Sequence, residues 1–250
     1  MMSPMKAVVG EVPILVTRPI DDAPAPLVLL SHGFTGCKEH WLEQMDELAA
    51  KGFVAAAMDN RLHGERAGAG FDSLLLGGKL DLPGLRRVMQ ATAADMSMLI
   101  DHFSRDEAVD AGRVAAVGVS MGGFVSFAAL VNDARIKVAM PIIASPYWGD
   151  IPGDSDVDLD SEAEADLADF STRNEPAGRK EAIPPRALLM QIGGEDSHYN
   201  GARVESFYEE LRPLYGDESE RLGLIVHPGV AHEFTAEMWA SSLAWLEKYL

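Results

Sequence analysis

Gly118-Val119-Ser120-Met121-Gly122 follows the apolar run Arg113–Val117 and opens the small-residue segment Met121–Val131. The first run reads as a buried strand and the second as a helix. A G-x-S-x-G pentapeptide at such a junction puts its serine on a sharp, strained turn above the carboxyl ends of the strands. Glycine on either side removes Cβ atoms that would collide across that turn. The helix that follows aims backbone N–H groups at any negative charge that develops beside the serine.

Outward from this turn, strand and helix signals alternate along the chain. Residues 6–18 read as two short strands, an edge hairpin turning at Gly10-Glu11. Residues 27–31, 53–58, 113–119, 136–144, 186–192 and 222–227 read as further strands. Segments 39–51, 85–103, 121–131, 201–212 and 233–249 carry helical spacing or composition. Residues 60–84 read as a glycine-rich loop and 145–182 as an irregular acidic stretch. Strands alternating with helices imply βαβ units: an α/β fold with a mostly parallel central sheet covered by helices on both faces. No repeat interrupts the pattern, which predicts a single domain over residues 1–250 with an acidic cap insertion at about 145–183.

A serine hydroxyl needs a base, and the base needs an orienting acid. In chains built this way the order is serine, acid, histidine. Asp196 follows the 186–192 strand within Gly193-Gly194-Glu195-Asp196, where a carboxylate would sit at the sheet's edge. His232 follows the 222–227 strand through Pro228-Gly229-Val230-Ala231. Glu195 and Asp217 compete for the acid role, and His198 and His227 for the base; His227 lies inside a strand run and reads as structural. The expected catalytic set is Ser120, Asp196 and His232. An oxyanion needs two N–H donors. The amide of Met121 supplies one, and the loop Ser31-His32-Gly33-Phe34-Thr35-Gly36 supplies the other through Phe34. The charged segment Asp59–Arg66 precedes the serine and reads as bracing for the loops around the pocket.

The 250 residues carry 21 Lys+Arg against 39 Asp+Glu, a formal net charge of −18. Such a chain repels phosphate, which argues against a nucleic-acid or anionic-membrane partner. Half of the excess falls between Lys137 and Arg173, where nine acids meet no basic residue: Asp150, Asp154, Asp156, Asp158, Asp160, Glu162, Glu164, Asp166 and Asp169. The run from Asp154 resembles a calcium loop but puts Leu159 and Ala165 where that loop needs glycine and glutamate. The single Cys37 excludes an internal disulfide or cysteine-rich metal site. No phosphate-binding glycine motif and no H-E-x-x-H spacing is present, so neither metal nor cofactor is expected. Lys6 and Pro13 make a poor signal peptide, and no stretch approaches a membrane span. The expectation is a cytoplasmic protein acting on a small molecule, its oligomeric state unspecified.

SHGFTG at 31–36, DNRLHGER at 59–66, GVSMG at 118–122, GGEDSHY at 193–199 and GVAHEF at 229–234 together resemble the α/β-hydrolase superfamily. Within it, the chain resembles the branch containing dienelactone hydrolases and prolyl oligopeptidases, and most of all the small bacterial carboxylesterases. The resemblance implies Ser120 as nucleophile, Asp196 as orienter, His232 as base, and Phe34 and Met121 as oxyanion donors. Dienelactone hydrolases carry cysteine at the turn where this chain has Ser120, which argues against dienelactone substrates. The implied function is a serine hydrolase that cleaves carboxylic esters of short to medium acyl chain through an acyl-enzyme. Thioesters, amides or peptides would use the same residues, and a non-catalytic ligand-binding relative would lack turnover. Only two insertions, 60–84 and 145–183, are long enough to cover a pocket, with Phe71, Leu74–Leu76, Tyr147 and Trp148 as apolar candidates to line it.

Overall fold

Strands buried on both faces need no polar alternation, and four runs are buried at every position: β2 (Val12–Thr17), β3 (Ala25–Ser31), β4 (Val54–Met58) and β9 (Ala187–Gly193). The computed structural model describes residues 4–21, 23–76, 79–150 and 161–250. β1 (Met5–Val9) and β2 (Val12–Thr17) form the leading hairpin, turned by Gly10 at φ +58°. The other main strands are β7 (Val109–Val119), β8 (Ile136–Ile142) and β10 (Leu222–His227). The eight-stranded sheet runs β1-β2-β4-β3-β7-β8-β9-β10. Within this sheet, among the described residues, only the β1–β2 and β2–β4 pairings are antiparallel.

Two groups of helices cover the sheet. α1 (Leu42–Ala50) and α6 (Ala236–Tyr249) belong to one, joined by Trp239 Nε1 donating to Glu47 at 2.7 Å and by the Lys51–Glu247 ion pair. α2 (Leu82–Phe103), α3 (Met121–Asn132) and α5 (Gly201–Tyr215) form the other, with Phe127 of α3 edge-on to Phe207 of α5. Among the described residues no helix is long and apolar enough to cross a membrane.

The boundaries follow local chemistry. α2 begins three residues earlier than its apolar periodicity predicts, because Asp81 caps it by accepting the Gly84 N–H and Pro83 fits the first turn. α6 starts at its Thr235 cap, not at residue 233. A two-residue hairpin, β5 (Leu75–Leu76) with β6 (Lys79–Leu80), stands inside the stretch expected to be loop.

The acidic stretch is not irregular throughout. α4 (Ser161–Asn174) lies within it, followed by a 3-10 turn at Pro176–Ala182. Phe170 supplies the anchor, stacking on Trp148 at 5.5 Å, with the Arg87 guanidinium 4.8 Å from its ring centre. Two acids of α4 meet cations: Asp166 pairs with Arg87 and Asp169 with Arg173. Asp150 is buried against Ser145 and Arg203. Asp154, Asp156, Asp158, Asp160 and the side chain of Glu162 lie outside the described residues.

The chain leaves β3 towards β4 on one side and returns to β7 on the other. Ligands of open α/β sheets bind at the carboxyl ends of the strands beside such a switch point. Ser31, the last residue of β3, pairs with Gly118 of β7. The loop after β3 therefore emerges beside the serine turn.

Candidate active site

β7 ends at Val119, α3 begins at Met121, and Ser120 between them has φ +54° and ψ −119°. A side chain held at positive φ costs energy that the surroundings must offset. They do so by contact too close for any Cβ. One added at Gly118 would lie 1.9 Å from the Gly122 carbonyl oxygen, so the first glycine is needed across the turn, as its position suggests. One added at Gly122 would lie 2.0 Å from the Ser31 carbonyl oxygen, so the second serves the approach of β3 instead. A third, Gly123, was not singled out by the motif; its Cβ would meet that of Ala144 at 2.6 Å. Met121 is the first residue of α3, so its N–H is one of those a helix leaves unpaired.

Ser120 Oγ lies 2.8 Å from His232 Nε2, and His232 Nδ1 lies 2.7 Å from Asp196 Oδ2. The Asp196 side chain is fully buried. Main-chain bonds position both partners: Gly194 N–H donates to His227 O at 2.8 Å, and Glu195 N–H donates to Val230 O at 2.9 Å. This zipper requires Gly193, whose Cβ would fall 2.5 Å from the Val230 and Ala231 oxygens. The competing residues are placed elsewhere. Glu195 contributes its backbone to the zipper. Asp217 lies in the turn Gly216–Arg221. His227 Nε2 is 3.0 Å from Gln191 Oε1, and burial lowers its pKa. His198 stacks on His232 without bonding Ser120.

On the other side of Ser120, Gly33 packs at ordinary contact distance: a Cβ there would sit 3.6 Å from the Ser120 Cβ. Buried polar groups hold this loop. Asn60, two residues beyond β4, donates from Nδ2 to His32 O at 2.8 Å and accepts the Ser31 hydroxyl at 2.8 Å. Asn60 N–H also donates to His32 Nε2 at 3.1 Å, while His32 Nδ1 bonds Gly33 O at 2.7 Å. Burial pushes the His32 pKa down to about 4, so the ring is neutral with its proton on Nδ1. Further along, Lys38 and Asp59 form an ion pair of 2.7 Å with both side chains essentially inaccessible. Burial alone would lower the Lys38 pKa; hydrogen bonds to Asp59, Glu65 and Glu39 reverse this and raise it. Burial would likewise raise the Asp59 pKa, but bonds from Lys38 and the Glu65 N–H hold it low. Arg61 and Arg66 both pair with Asp95 of α2. The charged 59–66 segment therefore braces the loops, and Lys38 is the member that its sequence surroundings did not advertise.

A cavity of about 580 Å³ opens beside Ser120, Met121, Phe34 and His232. Its apolar wall comes from Leu80, Leu85, Met89, Phe124, Ile143 and Phe234. The side chains expected to line it do other work. Phe71 packs on Phe34 and His63, Leu74 is buried, and Trp148 lies under Phe170. Tyr147 carries the Arg203 guanidinium 3.8 Å above its ring. Leu75 is exposed, and the side chain of Leu76 lies outside the described residues. The wall was missed because α2 reads as an ordinary amphipathic helix: nothing local marks Leu85 and Met89 as facing a cavity instead of the sheet.

Asp196, His198 and His232 offer ligand atoms within 4.8 Å of one another. The two imidazoles stack only 24° from parallel, so their in-plane lone pairs run side by side and do not converge on one ion.

Residues 27–249 match the alpha/beta hydrolase family. A Bacillus subtilis protein provisionally named esterase YitV is 27% identical over 234 residues, covering 90% of this chain and 89% of that protein. The solved structure of TT1662 from Thermus thermophilus superposes with a TM-score of 0.79 at 28% identity, covering 98% of this chain and 96% of that one. A Klebsiella pneumoniae protein provisionally named a dienelactone hydrolase shares the fold, with a TM-score of 0.70, 18% identity and 98% of each chain covered.

Proposed function

The chain belongs to the alpha/beta hydrolase family and is a hydrolase, and from that premise we propose that it is a serine esterase acting on short to medium acyl esters. One observation carries the reading: the unbroken hydrogen-bond chain from Ser120 through His232 to a fully buried Asp196. The resemblance to YitV, which bears an esterase name, supports it.

His232 takes the Ser120 proton as Oγ attacks the ester carbonyl. Asp196 holds the imidazole in the tautomer that leaves Nε2 free to accept, and it stabilises the imidazolium that forms. The Phe34 and Met121 amides hold the oxyanion, as backbone donors pre-set beside a developing charge. His232 then protonates the leaving alcohol and activates the water that hydrolyses the acyl-enzyme. None of the described residues that line the cavity is Asp, Glu, Lys or Arg, which favours uncharged acyl chains.

Ser120→Ala should lower kcat at least ~10⁴-fold with an unchanged fold by circular dichroism. Wild-type esterase turnover in that variant would refute the nucleophile. A p-nitrophenyl ester series should peak at short to medium chains; a steady rise to long chains would refute the size limit. A parallel panel of thioesters and amides tests ester preference.

A further inference from the structure

His198 stands outside the Ser120–His232–Asp196 chain but touches two of its members. The sequence Asp196-Ser197-His198 makes this possible. Asp196 Oδ1 accepts the His198 N–H at 2.8 Å, a turn of the kind aspartate forms with the backbone two residues on. The turn carries the His198 ring over the His232 ring, with centroids 4.2 Å apart and planes 24° apart. His198 Nδ1 lies 3.5 Å from Asp196 Oδ1, while Oδ2 is taken by His232. One residue thus holds the acid through its backbone and faces the base through its ring.

The two hydrogen bonds of His232 lie along its ring, one at each nitrogen. They hold the Nδ1–Nε2 axis at its two ends and, with the Cβ tether, restrain tilt about that axis only as far as those bonds resist bending. A stacked ring adds a restraint that acts face-on, where neither bond does. On the same ring Tyr199 makes an edge contact at 6.3 Å, which leaves the stacked face to His198. Over half of the His198 side chain is exposed, so its burial contributes little to the fold.

We propose that His198 is a positioning residue: its π face fixes the tilt of His232 and stabilises the imidazolium that forms as Ser120 attacks. The proposal rests on the serine-hydrolase reading. It assigns the ring a role that either an aromatic hydrocarbon or an imidazole can fill.

The test compares His198→Ala with His198→Phe, assayed at about pH 8, above the ordinary histidine range. His198→Ala keeps the backbone bond to Asp196 and removes only the ring. Its kcat should fall about three- to thirty-fold, the worth of a cation over a π face, with KM within about twofold of wild type. The rate of fluorophosphonate labelling at Ser120 should fall by the same factor. His198→Phe should restore both rates to within about threefold of wild type. Thermal melting of both variants checks that the fold is intact.

Wild-type kcat and labelling in His198→Ala would overturn the proposal, as would a His198→Phe variant as slow as His198→Ala. A loss confined to KM would make His198 a substrate contact and overturn it as well. Failure of the wild-type protein itself to label would sink the serine-hydrolase reading, so the two failures are distinguishable.

Discussion

The two flanks of Ser120 are held by different means. On the β3–β4 side, buried side chains do the holding: Asn60 ties Ser31 and His32 together, and the Lys38–Asp59 pair locks the loop behind them. On the β9–β10 side, backbone holds backbone: the Gly194 and Glu195 amides donate to His227 and Val230 across a gap that only glycine at 193 permits. The first arrangement is specific but exposed to any change of charge. The second resists most side-chain changes, because no side chain supplies its bonds.

The largest effect on stability should come from Lys38. Lys38→Met leaves a buried carboxylate without its cation, and breaking one half of a buried pair costs about 3–5 kcal/mol. Two N–H donors, from Lys38 and Glu65, still reach Asp59, so the lower end is expected. Urea unfolding should read that loss, and adding Asp59→Asn to the same chain should recover part of it. An unchanged midpoint for Lys38→Met would remove the contrast between the flanks.

Next comes His32, which makes the same flank sensitive to acid. Its folded pKa of about 4 lies below the ordinary histidine value, so the unfolded chain takes up a proton before the folded one does. The stability it contributes is complete above about pH 6.5 and is lost as pH falls to about 4, a loss of about 3 kcal/mol. Denaturant titrations across this window should show it. Asp59 adds nothing there, since its lowered pKa places its own loss at lower pH. A flat stability between pH 6.5 and 4 would mean that His32 does not stay neutral inside the fold.

Smaller still is Asn60→Ala, which releases the loop carrying the Phe34 amide without touching the reacting atoms. A modest misplacement of an oxyanion donor should lower kcat by about tenfold, short of the 10²–10³ for removing a donor outright. KM for a small ester should change little. A KM effect alone would mean the loop shapes the pocket and not the oxyanion site.

The same contrast governs how much was legible in the sequence. The serine turn depends on glycines and is written locally, and the order serine, acid, histidine points to Ser120, Asp196 and His232; the zipper that holds the last two was not legible, because it joins the 194–195 backbone to residues 227–230 of a later strand and loop. The parallel strands were legible as unbroken apolar runs. Lys38 was not, because a lysine after a loop cysteine looks like any surface lysine until Asp59 of another strand meets it. Leu85 and Met89 were hidden for a related reason: a helix with two apolar contacts, one to the sheet and one to a cavity, has the same period as a helix with one. The acidic run misled because net charge per segment says nothing about where each acid points. Asp150 lies buried on Arg203, and Phe170 anchors the helix that carries the others described.

The smallest expected effect is on the zippered flank. Glu195→Ala removes a side chain that sits beside the orienting acid yet leaves its N–H on Val230 O. Because the bond is carried by the main chain, stability should change by no more than about 0.5 kcal/mol, as for a surface substitution away from any special feature. The kcat should also stay near wild type, since Asp196 keeps its bond to His232. A large fall in kcat would make Glu195, and not Asp196, a working acid of this site. A large fall in stability with kcat preserved would instead show that this flank, like its neighbour, depends on side-chain charge.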